Sequence, residues 1–286
     1  MIKAFCPGHI TGFFAPVITD DALTTGSIGA GIRLSKGVTV TIEGRASNRK
    51  TRITMDGEDR TDAKITEHVV NALGPDKTFD ITIENELPLS QGMGMSAAGA
   101  IALGLCITML KGMNEEEAYK AAHIAEVVNG GGLGDVAGIL GGKQTIRLKA
   151  GMPPYGRTVD TGLDIKLSVV VLGPELETGN VLSDRGAMKK ITASGTECVN
   201  RYVSGPSEKL FYELSSQFSK NIGLESKKVK RALSVLRENG HMASMCMLGN
   251  SIFTNADEDQ VCEVLGDVNV IQCASSDLLP SATRRA

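Results

Sequence analysis

The chain has 286 residues, 42% of them hydrophobic and 22% charged, with a formal net charge of -3 at pH 7. That composition suits a soluble globular protein with a sizeable core and excludes a disordered chain. It carries no basic excess, so no nucleic-acid partner is expected. The densest basic cluster, Lys227, Lys228, Lys230 and Arg231, has helical spacing and reads as a solvated helix face. The six cysteines form no C-x-x-C pair, which is the usage of a reducing compartment and not of a zinc or dithiol site. The N-terminus lacks the basic and apolar regions of a signal peptide. The longest apolar run, near 97–110, is broken by Gly99, Gly104 and Thr108 and is too short to span a bilayer. A cytoplasmic protein with no membrane partner is therefore expected.

In chain order, strand signals come first. Residues 38–44 and 79–87 alternate apolar and polar side chains, and 52–59 contains an Asp-Gly turn. Residues 65–73 read as a short helix stopped by Gly74-Pro75. Two longer helices follow, one from about Ser96 to Leu110 and one from Asn114 to about Asn129. The second opens with Asn114 and Glu117 in a capping-box pattern. A glycine-rich passage, 130–142, leads to a strand at 144–148. The texture then changes at "KAGMPPYGRTVDTG", so a boundary is placed there, giving units 1–155 and 156–286. The second unit has a buried strand at 165–173, helices near 180–193, 206–221 and 225–239, and a last strand at 268–274 that closes the chain. Strands mixed with consecutive helices mark an α+β fold, not a regular βαβ alternation.

The stretch "LPLSQGMGMSAAGAIAL" (87–103) carries the chemistry. Gly92, Gly94 and Ala97 match G-x-G-x-x-A. However, four residues separate the preceding strand from the first glycine, and no second strand ends in an acid about 20 residues on, so the dinucleotide reading is poor. A Walker loop fails because Gly142-Lys143 is followed by Gln144. Close packing of small residues accounts for the helix but not for the two glycines before it. A glycine loop feeding a helix N-terminus offers unpaired N–H groups and a positive dipole end, which suits phosphate, with Ser96 at the phosphate or its Mg2+.

The string Pro88 to Ala98 resembles the P-x-x-x-G-L-G-S-S-A-A loop of the GHMP kinases, with Met93 for leucine, Met95 for the first serine and Ser96 kept. Several further segments in the same order resemble the archaeal pantoate kinase branch: "PGHITGFF", "TTGSIGAGIRLSKGV", "AAHIAEVVNGGGLGDVAG", "LGPELETGNVLSD" and "MLGNSIF". The resemblance implies the two-domain GHMP kinase fold, a ribosomal-protein-S5-like N-terminal half and a ferredoxin-like C-terminal half. It implies ATP-dependent phosphorylation of pantoate to 4-phosphopantoate, toward coenzyme A, and a homodimer. Other GHMP acceptors (mevalonate, its phosphates, homoserine) and a nucleotide sensor without turnover are the rival readings.

On that resemblance, ATP lies along Pro88, Gly92, Met93, Gly94, Met95, Ser96 and Ala97. Ser96 and Glu126 hold Mg2+, and Asp135 aligns the acceptor hydroxyl and takes its proton. The alternatives are that Glu126 is a solvated helix residue and Asp135 a helix cap. A substrate carboxylate wants a cation or a backbone nest. Candidates are His9, Ser27, Arg33 and, from the second half, Arg185. Against these stand a structural histidine, an ordinary turn and a surface arginine at a strand start. The family's C-terminal glycine motif is reduced here to Gly249 and Asn250.

Overall fold

Two long strands organise the first sheet. β1 (Ile2–Val17) and β2 (Gly26–Gly44) pair antiparallel along almost their whole length, with register shifts at Pro7/His9 and Thr11/Phe13. Such bulges bend a strand and re-aim its side chains, and here they flank His9 and Thr11. The structure is a computed structural model that describes residues 1–44, 50–174 and 185–284, Arg185 by its backbone alone.

β3 (Arg52–Met55) and β4 (Glu58–Arg60) form the expected hairpin. Its turn residues Asp56 and Gly57 both have positive φ, as a tight two-residue turn requires. The sheet runs β12-β1-β2-β5-β3-β4, where β5 is Phe79–Asn85 and β12 is Ser281–Arg284. β6 (Gln144–Lys149) pairs with the other end of β2, and β7 (Arg157–Asp160) pairs with β6.

Three helices pack beside this sheet: α1 (Lys64–Leu73), α2 (Met95–Lys111) and α3 (Glu115–Val128). α2 is buried on nearly every side, which its run of Ala and Gly permits. A Cβ on Gly104 would stand 2.8 Å from the Cβ of Ala118 on α3. Asn114 does cap α3, accepting from the Glu116 N–H at 3.1 Å. The capping box does not form, because Glu117 turns to Lys120. α4 (Asp135–Gly141) is a short turn of helix after the glycine passage.

The second sheet runs β11-β8-β10-β9, all antiparallel: β8 (Lys166–Val171), β9 (Ala243–Met245), β10 (Ser251–Thr254) and β11 (Asn269–Ala274). Its helices are α5 (Arg185–Val203), α6 (Glu208–Ile222), α7 (Lys227–Glu238) and α8 (Glu258–Leu265). Phe13 of β1 meets Tyr202 and Phe211 at centroid distances of 5.6 and 6.0 Å, and Phe211 meets Phe253 at 5.9 Å. One aromatic cluster thus ties β1 to α5, α6 and β10. α7 buries Val229, Ala232, Leu233 and Leu236 and leaves Lys227, Lys228, Lys230 and Arg231 in solvent, as the spacing predicts.

Three expectations change. The helix expected near 180–193 runs to Val203, its predicted start lying outside the described residues. The strand 269–274 does not close the chain: β12 (Ser281–Arg284) returns to the first sheet and pairs with β1. α8 was not foreseen, although Asp257 and Gln260 form a full capping box at its start. With a cut at 155/156, β7 and β12 are strands of the second segment added to the first sheet. Among the described residues, no helix is long and apolar enough to cross a membrane.

Candidate active site

A cleft of about 600 Å³ opens where α2, α3, α4 and the second half of β1 converge. Its floor is the N-terminus of α2. Gly94 caps that helix in the left-handed region with no side-chain hydrogen bond, so the first N–H groups are left for a ligand. Gly92, Met93, Gly94, Met95, Ser96 and Ala97 all line the cleft, and Ser96 is exposed to it. Pro88 lies upstream and does not line it.

The two loop glycines have a reason beyond closeness to a ligand. Gly92 (φ +75°) and Gly94 (φ +62°) occupy backbone conformations costly for other residues. A Cβ on Gly92 would lie 2.5 Å from the Met247 carbonyl oxygen, and one on Gly94 3.1 Å from that of His9. The loop is thus seated on β1 and on the 246–249 turn. Gly249 packs against the Gln91 backbone, and Ser251 Oγ donates to the Gln91 carbonyl at 2.6 Å. The sparse C-terminal motif therefore braces the loop.

Glu126 is 3% exposed, so it is no solvated helix residue. Its Oε1 accepts from Ser96 Oγ in a short hydrogen bond, and its Oε2 accepts from the Gly132 N–H at 2.6 Å. Burial, and secondarily the Asp135 carboxylate, push its carboxyl up to about 7 against the lowering effect of the Ser96 bond. The glycines at 131 and 132 leave room for carboxylates. A Cβ on Gly131 would sit 2.6 Å from Glu126 Oε2, and one on Gly132 2.5 Å from Asp135 Oδ2.

Asp135 is the first residue of α4, whose cap is Gly134, so it does not cap the helix. Its side chain, 24% exposed, faces the cleft and accepts from His9 Nδ1 at 2.8 Å. The His9 ring is fully buried and does not line the cleft; its partner is Asp135. The expected direct contact between His9 and the acceptor is corrected accordingly. Ser27 does line the cleft, against Gly134.

The structure moves the cation. Arg33 is buried away from the cleft, its Nε donating to the Ser276 carbonyl at 2.9 Å and its Nη1 to the Ile139 carbonyl at 3.0 Å. Both donations go to main chain, so Arg33 clamps the 276 segment to α4 and is not a substrate ligand. The side chain of Arg185 lies outside the described residues. The arginine at the cleft is Arg147 of β6, which sequence reasoning missed. It sits opposite Gly29 in register and is 1% exposed. Its Nη2 makes a 3.5 Å contact with Thr11 Oγ1, while Nε and Nη1 have no partner. Burial pushes its guanidinium down to about 10, with Asp135 opposing. The one local signal was a charge inside the apolar strand "TIRL". Asp62, Lys64, Ile65 and Asn129 also line the cleft.

Among the described residues, no group of three or more His, Cys, Asp or Glu is placed to hold a metal. The Ser96–Glu126 pair fits Mg2+, which keeps most of its waters and takes few protein ligands. A carboxyl raised by burial, as Glu126 is, also gains from a nearby cation.

Residues 63–143 match the model of the GHMP kinases N terminal domain. The chain is 35% identical to a pantoate kinase of Thermococcus kodakarensis, over 94% of this chain and 93% of that relative. It is 33% identical to a pantoate kinase of Methanocaldococcus jannaschii, over 94% and 98%. A solved structure titled a phosphotransferase related to the CoA biosynthesis pathway superposes with a TM-score of 0.89 at 31% identity, covering 99% of this chain and 98% of that one. A cleft built from a glycine loop, a serine–glutamate pair and an aspartate on an α+β fold, together with this identity along nearly the whole chain, makes the protein a member of the pantoate kinase family within the GHMP kinases.

Proposed function

We infer that the chain transfers the γ-phosphoryl group of ATP to the primary hydroxyl of pantoate, giving 4-phosphopantoate for coenzyme A synthesis. The observation that carries the site reading is the convergence of Ser96, Glu126, Asp135 and Arg147 on one cleft. In this reading the α2 N-terminus and the 92–96 backbone hold the phosphates. Ser96 Oγ and Glu126 would hold Mg2+, which would supply neutralisation of the phosphate charge. Arg147, with two free donors, takes the carboxylate of pantoate. A fully buried guanidinium without an anion is costly, and a bidentate carboxylate is its best-matched partner. That contact orients the substrate so that its hydroxyl meets Asp135. Asp135 accepts the hydroxyl proton as the oxygen attacks; positioning does most of the work in a loose phosphoryl transfer.

A cytoplasmic homodimer, with an ATP-binding unit 1–155 and a second unit 156–286, belongs to the same proposal. Light scattering of the purified protein reads the dimer. The central experiment is ADP release with pantoate, pantothenate, mevalonate and homoserine as acceptors. Turnover with pantoate alone is expected. Asp135→Asn is expected to lower kcat by about 1,000-fold with ATP affinity nearly unchanged. Wild-type turnover in that variant would remove Asp135 from the chemistry.

A further inference from the structure

His9 is the one ionisable side chain of this centre that touches neither cleft nor solvent. Its backbone N–H donates to the Met93 carbonyl at 2.9 Å, inside the phosphate loop. Its Nδ1 meets Asp135 Oδ1 at 2.8 Å. The ring lies in a slot of glycines: a Cβ on either Gly31 or Gly138 would overlap the imidazole, and one on Gly94 would stand 3.3 Å from the His9 Cβ. Nε2 is buried with no partner. One residue thus ties the loop proposed to hold ATP to the carboxylate proposed to receive the acceptor proton.

The geometry selects the state of the ring. With the proton on Nδ1, His9 donates to Asp135 and leaves only a bare lone pair at Nε2. With the proton on Nε2, a buried N–H has no acceptor and two lone pairs face each other across 2.8 Å. A doubly protonated ring has the same orphaned N–H and carries a buried charge besides. Arg147 and Arg33 also disfavour charge on the ring, Asp135 alone favouring it.

We propose that His9 is a positioning residue, a permanently neutral Nδ1–H imidazole that fixes the Asp135 carboxylate in register with the phosphate loop. It rests on the reading of Asp135 as the proton acceptor. The glycines at 31 and 138 are part of the same device, because a Cβ at either would occupy the space the ring fills.

Two measurements test it. In 15N-histidine-labelled wild-type protein, the His9 signal is picked out from the four histidines by its loss in His9→Asn. It should show a proton on Nδ1 and a bare Nε2 throughout pH 6–8. An Nε2–H ring or an imidazolium would overturn the proposal. In kinetics, His9→Leu should lower kcat by about 100-fold with KM for ATP changed less than about threefold. His9→Asn, whose amide nitrogen reaches about the place of Nδ1, should recover most of that loss. Equal failure of the two variants, or full activity of His9→Leu beside an inactive Asp135→Asn, would overturn this proposal alone. Full activity of Asp135→Asn would instead overturn the reading on which it rests.

Discussion

At the scale of single residues, the cleft holds groups kept in states that water would not favour. Arg147 is the clearest: buried, two donors free, and set beside Asp135. Arg147→Met should raise the KM for pantoate about 100-fold, the worth of roughly 3 kcal/mol of charged hydrogen bonding, with KM for ATP little changed. The same variant should melt no lower than wild type without substrate, because it removes an uncompensated buried charge. A lower melting temperature with unchanged pantoate kinetics would make Arg147 structural. His9 supplies a pH signature. Burial, chiefly, holds its pKa below the usual 6.5, with Arg147 and Arg33 adding to the lowering and Asp135 opposing. The unfolded chain takes up a proton near pH 6.5 that the native ring refuses, so this contribution to stability is lost as pH falls below 6.5. Asn does not titrate. Urea unfolding at pH 7 and pH 5 should therefore show wild type losing stability relative to His9→Asn on acidification.

At the scale of elements, the decisive one is the loop that feeds α2. Its glycines are needed for conformation and for seating, which gives opposite expectations for two glycines seven residues apart. Gly92→Ala meets both a positive φ and the Met247 carbonyl, so the loop must shift. Its KM for ATP should rise at least about tenfold, given about 1–2 kcal/mol of backbone strain. Gly99, inside α2, has only Val38 Cγ1 at 3.9 Å. Gly99→Ala should keep activity and gain about 0.5–1 kcal/mol, read as a higher melting temperature. The existence of α2 and α3 was legible from caps and small-residue runs, as was the Asp56-Gly57 hairpin. The Glu117 half of the capping box was not, because Glu117 pairs with Lys120 instead.

At the scale of the whole molecule, the second half is fastened to the first by side chains far apart in sequence. Arg33 reaches Ser276, Phe13 reaches Tyr202 and Phe211, and β12 pairs with β1. Arg33→Met should cost about 2–4 kcal/mol, since it strips two buried carbonyls of charged donors, and lower the melting temperature by several degrees. The KM for pantoate should stay within about threefold. A large rise in that KM without loss of stability would return Arg33 to the substrate site.

The two arginines show what each level of description decides. The sequence alone determined the α+β class, the hairpin turn, the helix that starts at the glycine loop, and the residue types of a phosphate-transfer centre. Those depend on neighbours within a turn or two of the chain, whose spacing is written in order. It could not separate Arg33 from Arg147, both of them charges in strands of the same sheet. Only the pairing of β2 with β6 sets Arg147 over Gly29, and only the bridge from Leu34 to Ser275 brings Ser276 to Arg33. A buried charge takes its role from the partner it finds, and here every partner is supplied by a distant part of the chain.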